Sequence, residues 1–397
     1  MRGGVHRQRS RDKSLSGLMS GGTLLDFTMG VLPTTLTWTR SSSATFVSRT
    51  GIVTTSATNI PRFEFQNGVA HLLVEGQATN LLNFSQTFDV VGGTQNNWLD
   101  TTLTRVSTTK TSPSGSTNAI EFRANAANST VISTVALGTS ALRTFSVWMR
   151  RVTGSGAVEM TNDNGTNWSP RTLSSVWTRF TLTSTNLHQV GIRITTLNDA
   201  VEIWGAQLED VQIATSYIPT TTATAVRSAD TAITNNFTSG RLRWPQYNTG
   251  TGTMFVEAAY RFRGVAGGYP RPINFISGAP TIAFGLFMDV NATSPSNLGP
   301  ECQTDVGVLY ANTANADAAM FKHAFTAYSS GLSAVIDQAI SGVTGASATT
   351  VAVPSLTAAN LHLNWNASVD MPVMFVRRIQ YWPRRFTASE LRQITVH

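Results

Sequence analysis

Four tryptophans, Trp98, Trp148, Trp168 and Trp177, lie close together in the first half of the chain and carry its best argument for chemistry. A sugar ring presents a C–H face that stacks on an indole, and its hydroxyls need polar partners beside that indole. Trp148 and Trp177 fall on the polar phase of their strands, where such a platform would stand, with Arg and Asn side chains nearby. The same face is also where a second sheet, a lid or a neighbouring subunit would pack. These four residues are the glycan-binding candidates, whereas Trp204 reads as core.

Catalysis finds less support. Paired catalytic carboxyls sit about 5–5.5 Å or about 6.5–9.5 Å apart, which on one strand requires an i, i+2 pair. None of the 22 acidic residues has another two positions away. Glu301 and Asp305 share a face of an extended segment but would stand ~13 Å apart, which leaves a cross-strand pair as the remaining route. No G-x-S-x-G elbow, H-E-x-x-H, P-loop or G-x-G-x-x-G motif occurs, so serine-hydrolase, zinc-hydrolase and nucleotide readings fall away. His71, His188, His323 and His362 stand singly, with His6 near the start and His397 last. Cys302, the one cysteine, reads as a small buried hydrophobe. Glu75 and Glu209 are expected to hold loops by accepting backbone N–H groups. No catalytic residue, metal or cofactor is assigned.

The elements that must position the tryptophans are strands. Alternation at period two recurs between clusters of Ser, Thr, Asn and Gly, while helical periodicity is scarce. Phe145, Val147 and Met149 share one face, with Ser146 and Trp148 on the other. Val176, Phe180 and Leu182 form another face, opposite Trp177 and Arg179. Further faces are Val190/Ile192/Ile194, Val201/Ile203, Met254/Val256/Ala258/Tyr260 and Val373/Phe375/Arg377/Ile379. Asn162-Asp163-Asn164-Gly165 supplies residues that tolerate the positive φ of a tight turn. Thr387-Ala388-Ser389-Glu390 reads as a capping box opening a terminal helix, with Leu391 and Ile394 on one side.

Charged residues make up 13% of the chain, about half the roughly 25% usual for a globular protein. Of the formal +7, residues 1–22 hold +4, from Arg2, Arg7, Arg9, Arg11 and Lys13 against Asp12. This arm has no periodic apolar face with which to fold alone. Leu15, Leu18 and Met19 are interrupted by Ser and Gly, so no signal peptide is expected. No segment approaches the ~18 consecutive apolar residues of a membrane span. Low charge leaves neutral strand faces that a lone subunit would expose, and self-association is expected.

Three stretches, in order, resemble a known family. They are Pro61-Arg62-Phe63 with Leu72–Leu82, then Trp204–Glu209 with Ala214–Thr220 and Arg227-Ser228-Ala229-Asp230, then Tyr381–Leu391. The arrangement is similar to tailed-bacteriophage virion proteins that join a carbohydrate-binding-module-like jelly roll to a concanavalin A/laminin G-like sandwich. The resemblance implies an all-β fold of two tandem antiparallel β-sandwiches, with an extended N-terminal arm and a short C-terminal helix. The expected division is a docking arm 1–22, a connecting β segment 23–84, the jelly roll 85–220 and the second sandwich 221–397. The acids Asp289, Asp305, Asp317 and Asp337 are too scattered to carry over the calcium site such sandwiches often have.

The function implied is that of a non-enzymatic virion structural protein, a tail fibre or tail-associated adhesin that can bind host glycans. A head fibre or capsid decoration protein is the alternative, and a polysaccharide depolymerase a third. Expected partners are other virion proteins, gripped through Arg2, Arg7, Arg9, Arg11 and Lys13, further copies of the chain, and host surface polysaccharide. A trimer is the state that phage fibres imply. Neither membrane insertion nor a nucleic-acid partner is expected.

Overall fold

Alternation becomes strand almost throughout the computed structural model. It describes residues 17, 20–88, 90–91, 94–95, 98–135, 141–186, 189–234, 251–261, 272–276, 283–291, 294–304, 307–310, 321–330, 333–340, 343–344, 348–350, 360–364 and 373–396. The arm residues Arg2, Arg7, Arg9, Arg11 and Lys13 lie outside the described residues. So do His6, His188, Asp305, Asp317 and His397, and the side chains of Asp289, Glu301 and Cys302. The fold is all-β, with antiparallel sheets and a short C-terminal helix. No described helix is long and apolar enough to cross a membrane.

The chain forms two units that interleave in sequence. Unit 1 takes residues 1–40, 60–76 and 229–397; unit 2 takes 41–59 and 77–228. This corrects the expected tandem division. Residues 23–84 are not a connector, because Thr23–Asp26, Leu36–Thr39, Arg62–Gln66 and Val69–Val74 are strands of the two large sheets of unit 1. Short Ser/Thr-rich joints offer no composition change at which such crossings could be read from sequence.

Unit 2 is a sandwich of two five-stranded sheets. One runs Trp98–Thr101, Ser129–Ser133, Gly191–Ile194, Val158–Thr161, Ser169–Arg171; the other runs Leu103–Thr111, Thr117–Ala124, Ala200–Glu209, Ala141–Thr153, Thr178–Asn186. The expected faces Phe145/Val147/Met149, Val190/Ile192/Ile194 and Val201/Ile203 all enter the core between them. Val176 does not: it precedes its strand and is 67% exposed, while Phe180 and Leu182 pack on the core. The Asn162–Gly165 turn takes the expected left-handed backbone, with φ 59° at Asn164 and 76° at Gly165.

Unit 1 has a nine-stranded and a seven-stranded sheet. Met254, Val256, Ala258 and Tyr260 of the strand Thr251–Arg261 enter its main core as expected. On the opposite side of the same strand, Phe255 packs with Trp382, Phe386, Leu391 and Ile394 beneath the helix Ala388–Val396. The capping box closes that helix, since Glu390 N–H donates to Thr387 Oγ1 at 3.3 Å and Thr387 N–H to Glu390 Oε2 at 2.7 Å. The face Val373/Phe375/Arg377/Ile379 is corrected by a bulge. Glu257 pairs with Arg378 but Ala258 with Val376, so Arg377 is the extra residue. The alternation shifts by one there, and the core takes Met374, Val376, Ile379 and Tyr381.

The segments of unit 1 are held by a buried ion network. Arg40 Nη1 lies 3.0 Å from Asp230 Oδ1, Arg62 Nη2 donates to Asp230 Oδ2, and Arg62 Nη1 lies 2.8 Å from Glu75 Oε2. All four side chains are buried. Burial works against the Arg62 charge, but Asp230 and Glu75 outweigh it and hold the guanidinium above its ordinary range. The Glu75 N–H also donates to Asp230 Oδ2 at 3.0 Å. Removing one partner from a buried ion pair leaves an uncompensated charge and costs about 3–5 kcal/mol. Asp230→Asn should therefore destabilise unit 1 by about that amount in denaturant unfolding; a loss below about 1 kcal/mol would contradict this role.

His323 gives unit 1 a pH dependence. It is fully buried beside Phe325, with Nε2 2.9 Å from Gln338 Oε1, and burial pushes its pKa down to about 4. Its ordinary value is 6.5, so between pH 6.5 and 4 the unfolded chain takes up a proton that the folded unit refuses. Stability is full above pH 6.5 and falls as pH drops toward 4, by about 2 kcal/mol from His323 alone at pH 5. Burial moves His362 in the same direction. Unfolding free energies at pH 7 and pH 5 should differ by less in His323→Asn than in the parent; equal differences would rule this out.

Candidate functional site

The outward face of the second sheet of unit 2 holds two of the four aromatic candidates, Trp148 and Trp177. Core residues alternate with Glu121 between Ile120 and Phe122, Arg150 after Met149, and Glu202 between Val201 and Ile203, which turns these charges outward. Register then brings them together: Glu121 lies opposite Glu202, and Glu202 opposite Arg150. Arg150 Nε is 2.5 Å from Glu202 Oε2, and Lys110 Nζ is 2.9 Å from Glu121 Oε2. The hydrogen bond and charge of Glu121 hold the Lys110 ammonium above its ordinary range. The Arg150 guanidinium lies 4.9 Å over the ring of Trp177. Trp177 is half-buried, and its Nε1 donates to the Thr111 carbonyl at 3.2 Å. It is thus a fixed indole beside four mutually neutralised charges.

Trp148 occupies the expected outward phase yet is 8% exposed, and so is corrected as a ligand contact. Its ring meets Trp204 at 5.3 Å and Tyr217 at 5.5 Å, while Arg179, its cross-strand partner, covers it at 4.4 Å. Val53 and Ala119 complete this outer cluster, with Trp177 packed at its margin. The unit's own loops therefore act as the lid. Trp98 is corrected too, because it lies in the main core against Phe88, ring centroids 4.6 Å apart. Trp168 remains half-buried, on the other sheet's side, under Arg193 at 4.5 Å.

Of the residues that carried the family resemblance, Asn80 and those of Trp204–Glu209 and Ala214–Thr220 build this lid. Asn80 donates to the carbonyls of Ala206 and Ile218 at 3.1 and 2.9 Å and accepts the N–H groups of Leu82 and Leu208, each at 3.1 Å. Gln207 accepts the Ile218 N–H at 2.6 Å. Glu209 accepts the Thr215 N–H at 3.0 Å, the loop-holding role expected of it, and the Glu75 carboxylate pairs with Arg62. Tyr217 hydrogen-bonds Ser85 through its hydroxyl at 2.6 Å, and burial pushes its phenol pKa up. Among the described residues no group of three or more His, Cys, Asp or Glu could hold a metal ion.

Sequence reasoning missed Glu121, Glu202, Arg150 and Lys110. Their outward phase was readable from the flanking apolar residues, but register decides which of them meet.

No family profile matches the chain, and no curated protein matches it. Among solved structures, the CBM40 domain of Ruminococcus gnavus IT-sialidase is 15% identical at a TM-score of 0.29, covering 37% of this chain and 83% of that one. The binding domain of Paraclostridial Mosquitocidal Protein 1 is 10% identical at 0.31, covering 43% of each chain. A tail fibre protein from an E. coli phage is 12% identical at 0.21, covering 77% of this chain and 42% of that one. Likenesses at these scores carry no argument about ligand or partner; the all-β fold rests on the strand pairings themselves.

Gly205 of the Trp-Gly-Ala-Gln motif tests the outer cluster. It sits where the register slips between Ser146/Gln207 and Trp148/Trp204, with φ 68°, and a Cβ there would stand 2.9 Å from the Trp148 ring. Left-handed backbone costs a non-glycine residue about 1–2 kcal/mol and overpacking adds about 1–3. Gly205→Ala should lose at least about 2 kcal/mol. Gly51→Ala, at φ 79° with open space around its Cβ, should lose only the backbone part. Equal losses in the two variants would show that the Trp148 contact is immaterial.

Proposed function

We propose that this chain is a non-enzymatic bacteriophage virion protein, a tail fibre or tail-associated adhesin, whose unit 2 binds neutral host-surface polysaccharide. One observation carries the binding reading: Trp177 is a fixed, half-exposed indole beside two ion pairs, Lys110 with Glu121 and Arg150 with Glu202. A pyranose can stack on the indole while Lys110 and Arg150, which lie over the buried carboxylates of Glu121 and Glu202, donate hydrogen bonds to its hydroxyls. The four charges beside the indole cancel, so they offer an anionic sugar no net attraction and a neutral ring fits best. The virion setting is supported by the three motif stretches and their order. The basic arm, through Arg2, Arg7, Arg9, Arg11 and Lys13, is proposed as the anchor to the particle.

A depolymerase reading would draw on Glu121 and Glu202, since directly opposed strand residues have Cβ atoms ~4.5–5.5 Å apart. Lys110 and Arg150 engage these two carboxylates, whereas a glycosidase general acid has to keep a proton. The pair fits a binding surface better than an acid–base couple.

Trp177→Ala should leave unit 2 folded, at a cost of about 1–2 kcal/mol for the lost Thr111 hydrogen bond and packing, and weaken binding to purified host polysaccharide by about thirtyfold, the loss typical of an aromatic hot spot worth ~2 kcal/mol. Parent-like affinity would overturn the reading, and reducing ends released by the parent protein would establish an enzyme.

A further inference from the structure

The opposite sheet of unit 2 repeats the arrangement around Trp177. Val158 and Met160, and Ile192 and Ile194, point into the core, so Glu159 and Arg193 between them face outward. The two are cross-strand partners, with Arg193 Nη2 2.5 Å and Nε 2.6 Å from Glu159 Oε2. The same guanidinium lies 4.5 Å over the half-buried ring of Trp168. The turn beneath that ring is braced. Asp163 accepts from the Thr161 hydroxyl at 2.7 Å and from Asn167 N–H and Nδ2 at 2.9 and 2.7 Å, and a Cβ on Gly165 would stand 3.1 Å from the indole. Each sheet thus presents a glutamate-neutralised arginine stacked on a half-buried tryptophan.

We infer that unit 2 carries two binding platforms for neutral sugar rings, Trp177 with Arg150 on one face and Trp168 with Arg193 on the other, each arginine neutralised by its glutamate. This rests on the glycan reading of Trp177. The core separates the two sheets by ~10 Å, and their outward faces point in opposite directions. One sugar ring cannot touch both, so a single chain holds two polysaccharide strands or two segments of one. Bivalence of this kind raises retention on a dense surface without any new contact.

The test is stoichiometry. The full-length protein is screened on an array of defined neutral and acidic oligosaccharides, and the best neutral binder is titrated by calorimetry into parent, Trp168→Ala, Trp177→Ala and the double variant, with thermal melts as folding controls. The inference expects two sites per chain in the parent, one in each single variant and none in the double. One site in the parent, lost in Trp177→Ala and untouched in Trp168→Ala, would overturn the second platform and leave the Trp177 reading intact. Undiminished binding by the double variant, or binding to no array member, would overturn both. Should Trp168→Ala unfold, Trp177→Ala alone decides, because it retains one site if the inference holds and none if it fails.

Discussion

Asp230, buried between Arg40 and Arg62, is the interaction on which unit 1 depends. The chain leaves and re-enters this unit after residue 40, before residue 60, after residue 76 and before residue 229. Arg40, Arg62, Glu75 and Asp230 each lie within two residues of one of those points. Loose segment ends would carry the cost of loop closure with no packing to offset it. Two cations and two anions in alternation bind these ends, and the pairing offsets the desolvation that would forbid any one charge alone. Asn364 adds its Nδ2 to the Asp230 carbonyl at 2.6 Å, which joins a further segment to the same point.

Unit 2 closes its own ends by neutral means. Ser41 donates to Ser228 at 2.8 Å, the Ser228 N–H donates to Ser42 at 2.9 Å, and the short strands Ala78–Asn80 and Ala225–Arg227 pair. Asn80 then continues from this ladder to the loop that covers Trp148. Stability and binding are thereby divided among the aromatics. Trp148, Trp204 and Tyr217 bury their rings in an outer cluster, and Trp177 at its margin inherits a rigid backing while keeping part of its surface exposed. Preorganisation of this kind reduces the ordering cost a ligand must meet.

Scarcity of charge runs through both units. Three cross-strand pairs lie on the outward faces of unit 2: Glu121 with Lys110, Glu202 with Arg150, Glu159 with Arg193. Two of these arginines lie over indoles, where the guanidinium gains a cation–π contact without losing its carboxylate. The charges beside Trp177 and Trp168 are thus paired within hydrogen-bond reach, which suits these spots to hydroxyl-rich surfaces.

Periodicity alone identified the strand class, the core faces around Phe145, Ile192 and Met254, the Asn164-Gly165 turn and the capped terminal helix, because each follows from residues near in sequence. The outward phase of Trp148 and Trp177 was legible for the same reason. Alternation says which side of a sheet a residue takes, but not what lies over that side. Only the tertiary structure decided that Tyr217 and Arg179 cover Trp148, and that Glu121, Glu202 and Arg150 converge beside Trp177, since register is set by partners far along the chain. The bulge at Arg377 likewise shifted a face that strict alternation had misplaced. The interleaving of the units was invisible for a related reason: the residues that bind the segment ends, from Arg40 to Asp230, are separated by up to 190 positions, and no local pattern records a contact at that distance.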